Sequence, residues 1–242
     1  MCTWGPRADT PERLAPRFLR TLAALSESEP DFTNWHIGHT KHTPLAAASF
    51  DDVVKFVADG NDLEGTGAVF PKEGYWFSTT SFPPNKARRV LLRFHAGCTI
   101  PANLFINTAA LETGPLCAEN ASLITLSVLK PALLVLASLW EPMWCGLAPW
   151  SVHDFQPKRG PHQRPRFGVE WVTYLSPRFA PLVTPPRTAI TEYLPNGALL
   201  MIATEDRFTV DNPEHLATAR DIEAALAPVN ALPWPPDGDP AS

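Results

Sequence analysis

The stretch that most constrains this chain is Ser122–Trp150, its most apolar run. From Pro131 to Trp140 only Ser138 is polar. Proline suits a helix start, where its missing N–H has no partner to lose. The run therefore predicts a helix beginning at Pro131. Glu141-Pro142 ends it, because a residue before proline is pushed out of helical geometry. A helix apolar on every side needs cover on every side, so the other elements are expected to pack around it. Met143–Trp150 reads as an extended segment re-entering a sheet.

A membrane span is the competing reading, since a bilayer needs about 20 apolar residues. Lys130-Pro131 lies in the middle of Ala121–Trp140. A lysine there costs roughly 2.5–3.5 kcal/mol on insertion scales, and the proline interrupts the helix. The run is therefore expected in a soluble core, with no membrane partner.

The 242 residues are 45% apolar, enough for a real core. The net charge of −5 lacks the basic footprint that nucleic acid demands, so a direct nucleic-acid partner is not expected. It is compatible with a basic protein partner. Cys2, Cys98, Cys117 and Cys145 are scattered, with no Cys-x-x-Cys pair. No secretory pattern opens the chain. The expectation is a reducing cytoplasm with free thiols.

Thr10-Pro11-Glu12 has the form of a helix start, with Leu14, Phe18, Leu22 and Leu25 on one face, and Pro16, awkward inside a helix, is expected to delay the onset. Pro30–Pro44 is loop-like, anchored by Phe32 and Trp35. Ser49-Phe50-Asp51-Asp52 is a capping box, opening a short helix to Asp59-Gly60. Gly74–Ser81, Arg88–His95 and Asn103–Asn107 predict an antiparallel meander, with Leu91, Arg93 and His95 on the face away from Val90, Leu92 and Phe94. Thr113–Glu119 is then a connector. Gln156–Pro165 is a basic, proline-rich loop. Val169–Leu175 alternates as a strand does. Pro195-Asn196-Gly197 between alternating runs signals a hairpin. Asp211-Asn212-Pro213-Glu214 starts a last helix ended by Pro228. Together these predict an α+β domain over 1–232, antiparallel sheet packed with a buried central helix and flanking terminal helices, with a frayed proline-rich tail at 233–242. One sheet or two stays open.

The residues that carry chemistry do not assemble into a recognisable centre. Gly-x-Ser-x-Gly, the phosphate-binding glycine loop and His-Glu-x-x-His are all absent. His36, His39 and His42 recur every three residues, but no helix is evident to gather them and no acids or thiols accompany them. Asp59–Gly65 fails the ligand spacing of a calcium loop. His153 and Asp154, adjacent on a strand, point to opposite faces. Glu205, Asp206 and Asp211 lie at a strand end and a helix start, where acids are ordinary. No cofactor and no metal are expected.

Four segments resemble the bacterial immunity protein 52 family of polymorphic toxin systems: Trp140–Trp144 after an apolar helix, Glu170–Ser176, Leu194–Thr204, and Asp211–Ala219 running into the closing helix. Met143 stands where that family often has an aspartate. The resemblance implies a non-catalytic cytoplasmic antitoxin, whose partner is a cognate toxin delivered by a type VI secretion system. It implies that this toxin is a nuclease of restriction-endonuclease fold. Acidic surface would complement a basic substrate groove, so Asp59, Asp62, Glu64, Glu205, Asp206 and Asp211 are the expected partner-binding residues. The alternative is a hydrolase or metal-dependent enzyme using Glu205, Asp206, Asp211 or His153.

Overall fold

A computed structural model of the protein describes residues 1–38, 43–61, 70, 72–100, 107–149 and 170–232. Its centre is a segment for which the sequence carries no strand signal. Strand β1 (Cys2–Trp4) lies between β6 (Asn107–Thr113) and β7 (Trp144–Leu147), antiparallel to both. On one side the sheet continues through β5 (Val90–Ala96), β4 (Tyr75–Thr80), β2 (His36–Ile37) and β3 (Thr43–Pro44). On the other it continues through β8 (Val172–Leu175), β10 (Leu199–Ile202) and β9 (Ile190–Tyr193). The two groups of strands are thus one sheet, and the hydrogen-bonded link between them is β1.

Register places one row of side chains across the sheet: Phe77, Phe94, Ala109, Cys2, Cys145, Tyr174, Leu200 and Glu192. Three helices pack on this face: α1 (Pro11–Ser28), α2 (Phe50–Asp59) and α3 (Leu126–Trp140). Phe18 of α1 meets Phe77 and Phe94 edge-on at 5.5 and 5.7 Å. Phe56 of α2 meets Phe77 at 6.0 Å. Trp140 of α3 stacks on Trp4 at 5.5 Å and lies 4.6 Å from Phe94. Such aromatic pairs add to the stabilisation from burial alone.

Three of the helices start where the local sequence places them, with side-chain caps at Ser49 and Asn212 but none from Thr10. Thr10 precedes Pro11, and the helix runs on from there with Pro16 inside it, so the proline does not delay the onset. The Ser49–Asp52 capping box forms as expected. Asn212 caps α4 (Pro213–Ala225), and the single turn α5 (Ala227–Asn230) follows, with Pro228 in its first turn. The Pro195–Gly197 hairpin joins β9 and β10, with Gly197 at a φ of +86°, a conformation that glycine adopts without penalty.

Several expectations are corrected. The central helix starts at Leu126, not Pro131. Pro131 removes a bond to the Ser127 carbonyl, and Ser127 is exposed, so water can satisfy that group. Nor is the helix covered all round. Leu129, Ala132, Leu133, Leu136, Ala137 and Trp140 are buried, while Ser127 and Ser138 are exposed and Leu134 and Val135 half-buried. The third meander strand is Asn107–Thr113 rather than Asn103–Asn107, whose first four residues lie outside the described residues. Pairing with β5 over six positions overrides the weak strand propensity of Ala109-Ala110 and Glu112. The Pro30–Pro44 loop contains the short strands β2 and β3. Strand β8 does not alternate, because Val172–Leu175 are buried on both faces.

The free-thiol expectation also fails for two of the four cysteines. Cys2 and Cys145 face each other across β1 and β7 and form a disulfide; Cys98 and Cys117 are free. The flanking pair, Met1 and Gly146, exchanges both backbone bonds. Cys2 and Cys145 therefore occupy a non-hydrogen-bonded position, where opposed side chains come closest. No helix among the described residues is long and apolar enough to cross a membrane.

Candidate partner-binding surface

The described acidic residues do not converge. Asp59 ends α2 and is ion-paired with Lys55 at 2.9 Å, one helical turn back. Glu205 and Asp206 are exposed in the turn after β10, where the Asp206 N–H donates to the Thr204 hydroxyl at 3.2 Å. Asp211 accepts from the Thr209 hydroxyl at 3.3 Å, just before α4. Between them, Arg207 reaches back to the carbonyls of Ile124 and Ala121 at 3.0 and 2.6 Å, fastening this turn to the approach to α3. Helix α2 packs on β4, and five strands separate β4 from β10. At the usual strand spacing, six steps come to roughly 29 Å. The two acidic regions are therefore separate patches of surface. Asp62, Glu64, His153 and Asp154 lie outside the described residues, as does the basic loop Gln156–Pro165.

Of the histidine series, His36 is in β2 with its ring 4.2 Å from that of Phe82. His39 and His42 lie outside the described residues. Among the described residues there is no group of three or more metal-ligating side chains. Near His36, Trp35, Pro44, Leu45 and Phe82 line a depression of about 620 Å³ beside β2 and β3.

The surface that sequence reasoning missed is the sheet face opposite α1–α3. The register row there runs Trp76, His95, Thr108, Thr3 and Trp144, of which Trp76 is exposed, Thr108 half-buried and the other three buried. Trp76 is 40% exposed and lies parallel to His95, 3.8 Å away. His95 is buried, and its Nε2 donates to the Glu73 carbonyl at 2.6 Å. That bond and the stack hold the indole in one orientation. Next to this pair, Ser78 and Arg93 are exposed, and Arg93 pairs with Glu112 at 3.3 Å. Leu91, Thr80, Thr108 and Ala110 are half-buried around them. The alternation of β5 did place Arg93 and His95 away from the core. What it did not show was Trp76 beside them, which required the register with β4. A fixed tryptophan next to an arginine is the pairing that carries energy in protein–protein contacts.

Glu170, two residues before β8, is a buried carboxylate. Its pKa is raised from 4.5 to about 7 by burial, even with the positive amino group of Met1 offsetting part of the rise. A raised pKa means that the folded state holds the proton more tightly than the unfolded chain. Stability is then expected to fall as pH rises from 4.5 towards about 7. Glu170→Gln should flatten that part of the curve, a result that denaturant titrations across the pH range would check.

The chain matches the family Immunity protein 52 over residues 1–232. No curated protein matches it. The match takes in every strand and helix described above, from β1 to α5, and on that ground the chain belongs to the Immunity protein 52 family.

Proposed function

We propose that the protein is an antitoxin that binds and neutralises a cognate secreted toxin inside the producing cell. The observation that carries this reading is the family match across residues 1–232. The toxin is a nuclease of restriction-endonuclease fold delivered by a type VI secretion system, and the antitoxin acts by contact rather than by turnover. The exposed patch of Trp76, Ser78 and Arg93 suits such contact. An anchored indole loses little conformational freedom on binding, which favours affinity. The exposed acids Glu205, Asp206 and Asp211 then act on approach, by steering a basic partner.

The test is co-expression with the secreted toxin encoded beside this gene. Growth should be rescued and the two proteins should co-purify. Trp76→Ala should weaken binding by about 2 kcal/mol or more, as truncation of an interface anchor does. If the purified pair fails to associate at micromolar concentration, the reading is wrong. Rescue with binding unchanged by Trp76→Ala would move the contact to another face.

A further inference from the structure

Strand β9 is an edge strand: among the described residues, β10 is its partner in the sheet. The hairpin bond from the Leu194 N–H to the Ala198 carbonyl, 2.8 Å, sets the phase of this ladder. With Tyr193 opposite Leu199 and Thr191 opposite Met201, the alternation of an antiparallel pair turns the N–H and C=O of Thr191 and Tyr193 outward. Ile190 and Tyr193 are 37% and 67% exposed. Proteins usually blunt such an edge with proline, a bulge or an unpaired charge. The opposite edge among the described residues, β3, is two residues long and ends in Pro44. Strand β9 has no proline, and its one charge, Glu192, is neutralised by Lys130 of α3 at 2.5 and 2.6 Å.

We infer that β9 is a self-association edge, at which a second copy of this chain adds its own β9 antiparallel. A two-fold axis normal to the sheet keeps each side chain on its own face, so the axis passes through a residue rather than between two. Centred on Glu192, it sets Thr191 opposite Tyr193 of the partner subunit and Ile190 opposite Leu194 of the partner subunit. The outward groups of Thr191 and Tyr193 then exchange four backbone bonds across the axis. Both exposed apolar side chains acquire a neighbour. The two Glu192 carboxylates face each other, but each brings its own Lys130, so the seam is a neutral cluster of four charges. An axis through Thr191 would instead oppose Ile190 to a carboxylate. Because the β3 edge is blunted, the arrangement closes at two copies and does not grow into a fibre. One short strand pair buries little area, so the dimer forms with rising concentration.

Light scattering and sedimentation across a concentration series test this, beginning with the wild-type chain of 26.6 kDa. A rise towards twice that mass is expected. Thr191→Pro removes an outward donor that the β9–β10 ladder does not use, a place where an edge strand tolerates proline. It should shift the monomer–dimer constant towards monomer by about tenfold or more, with the melting curve of the fold retained. Lys130→Ala exposes two facing carboxylates and should do the same, and adding Glu192→Gln should restore the dimer. A wild-type chain that stays monomeric at every concentration overturns the inference. So does a dimer that Thr191→Pro leaves intact, or one that Lys130→Ala weakens and Glu192→Gln fails to restore.

Discussion

Replacing Cys145 by serine is expected to lower the unfolding free energy by about 2–4 kcal/mol, because the disulfide to Cys2 closes a very long loop. The two cysteines are 143 residues apart, so the cross-link restricts most of the unfolded chain. Its position adds a second effect. Strand β1 is three residues long, yet it joins the β6 side of the sheet to the β7 side. The disulfide holds one flank of β1 against β7. Asn107 holds the other, donating to the Gly5 carbonyl at 2.7 Å and the Cys98 carbonyl at 3.0 Å while accepting from the Cys98 N–H at 2.9 Å. For a chain of this size the loss corresponds to a fall in Tm on the order of 10 °C. Thermal melts with and without reductant provide the check. Reduced wild-type protein should melt like Cys145→Ser, and the variant should ignore the reductant. Equal melting of oxidised wild type and variant would remove the disulfide from any account of stability.

The parts legible in the sequence were those fixed by local chemistry. The Ser49–Asp52 capping box, the Pro195–Gly197 hairpin, the Thr10-Pro11 start and the alternation of Arg93 and His95 each depend on residues within a few positions of one another. The structure shows all of them. What the sequence hid depends on partners far along the chain. Cys2-Thr3-Trp4 is too short to show a period, and it becomes a strand only because β6 and β7 offer it two edges. Asn107–Thr113 has little strand propensity and takes its conformation from β5. The Trp76–His95 stack joins two strands whose register no local pattern states. The acidic candidates show the same limit from the other side. Composition marked them, but topology set Asp59 and Glu205–Asp211 apart, and nothing in the spacing of acids along the chain encodes that separation.

Trp140→Ala should be the most damaging single truncation, at about 3–5 kcal/mol. Trp140 closes α3 and is fully buried. Its ring is the place where three parts of the chain meet: Trp4 of β1 at 5.5 Å, Phe94 of β5 at 4.6 Å, and the Arg17 guanidinium of α1 at 5.4 Å. Its Nε1 donates to the Thr21 hydroxyl at 3.0 Å, and that hydroxyl in turn donates to the Arg17 carbonyl at 2.8 Å. Alanine removes the contacts of every one of these elements at once. The surrounding rings sit on a sheet that cannot follow the helix inward, so the site collapses poorly and the cavity adds its own penalty. Trp140→Phe separates the two contributions. It keeps most of the apolar contact but deletes the donor to Thr21, and should lose about 1 kcal/mol through the hydrogen bond on top of the lost ring volume. Thr21→Val in the Trp140→Phe background should then cost less than in the wild type, because the hydroxyl no longer has an indole to receive. Equilibrium unfolding of the four proteins gives that coupling directly. If Trp140→Ala proved as stable as the wild type, α3 would not be the element that ties β1, β5 and α1 together.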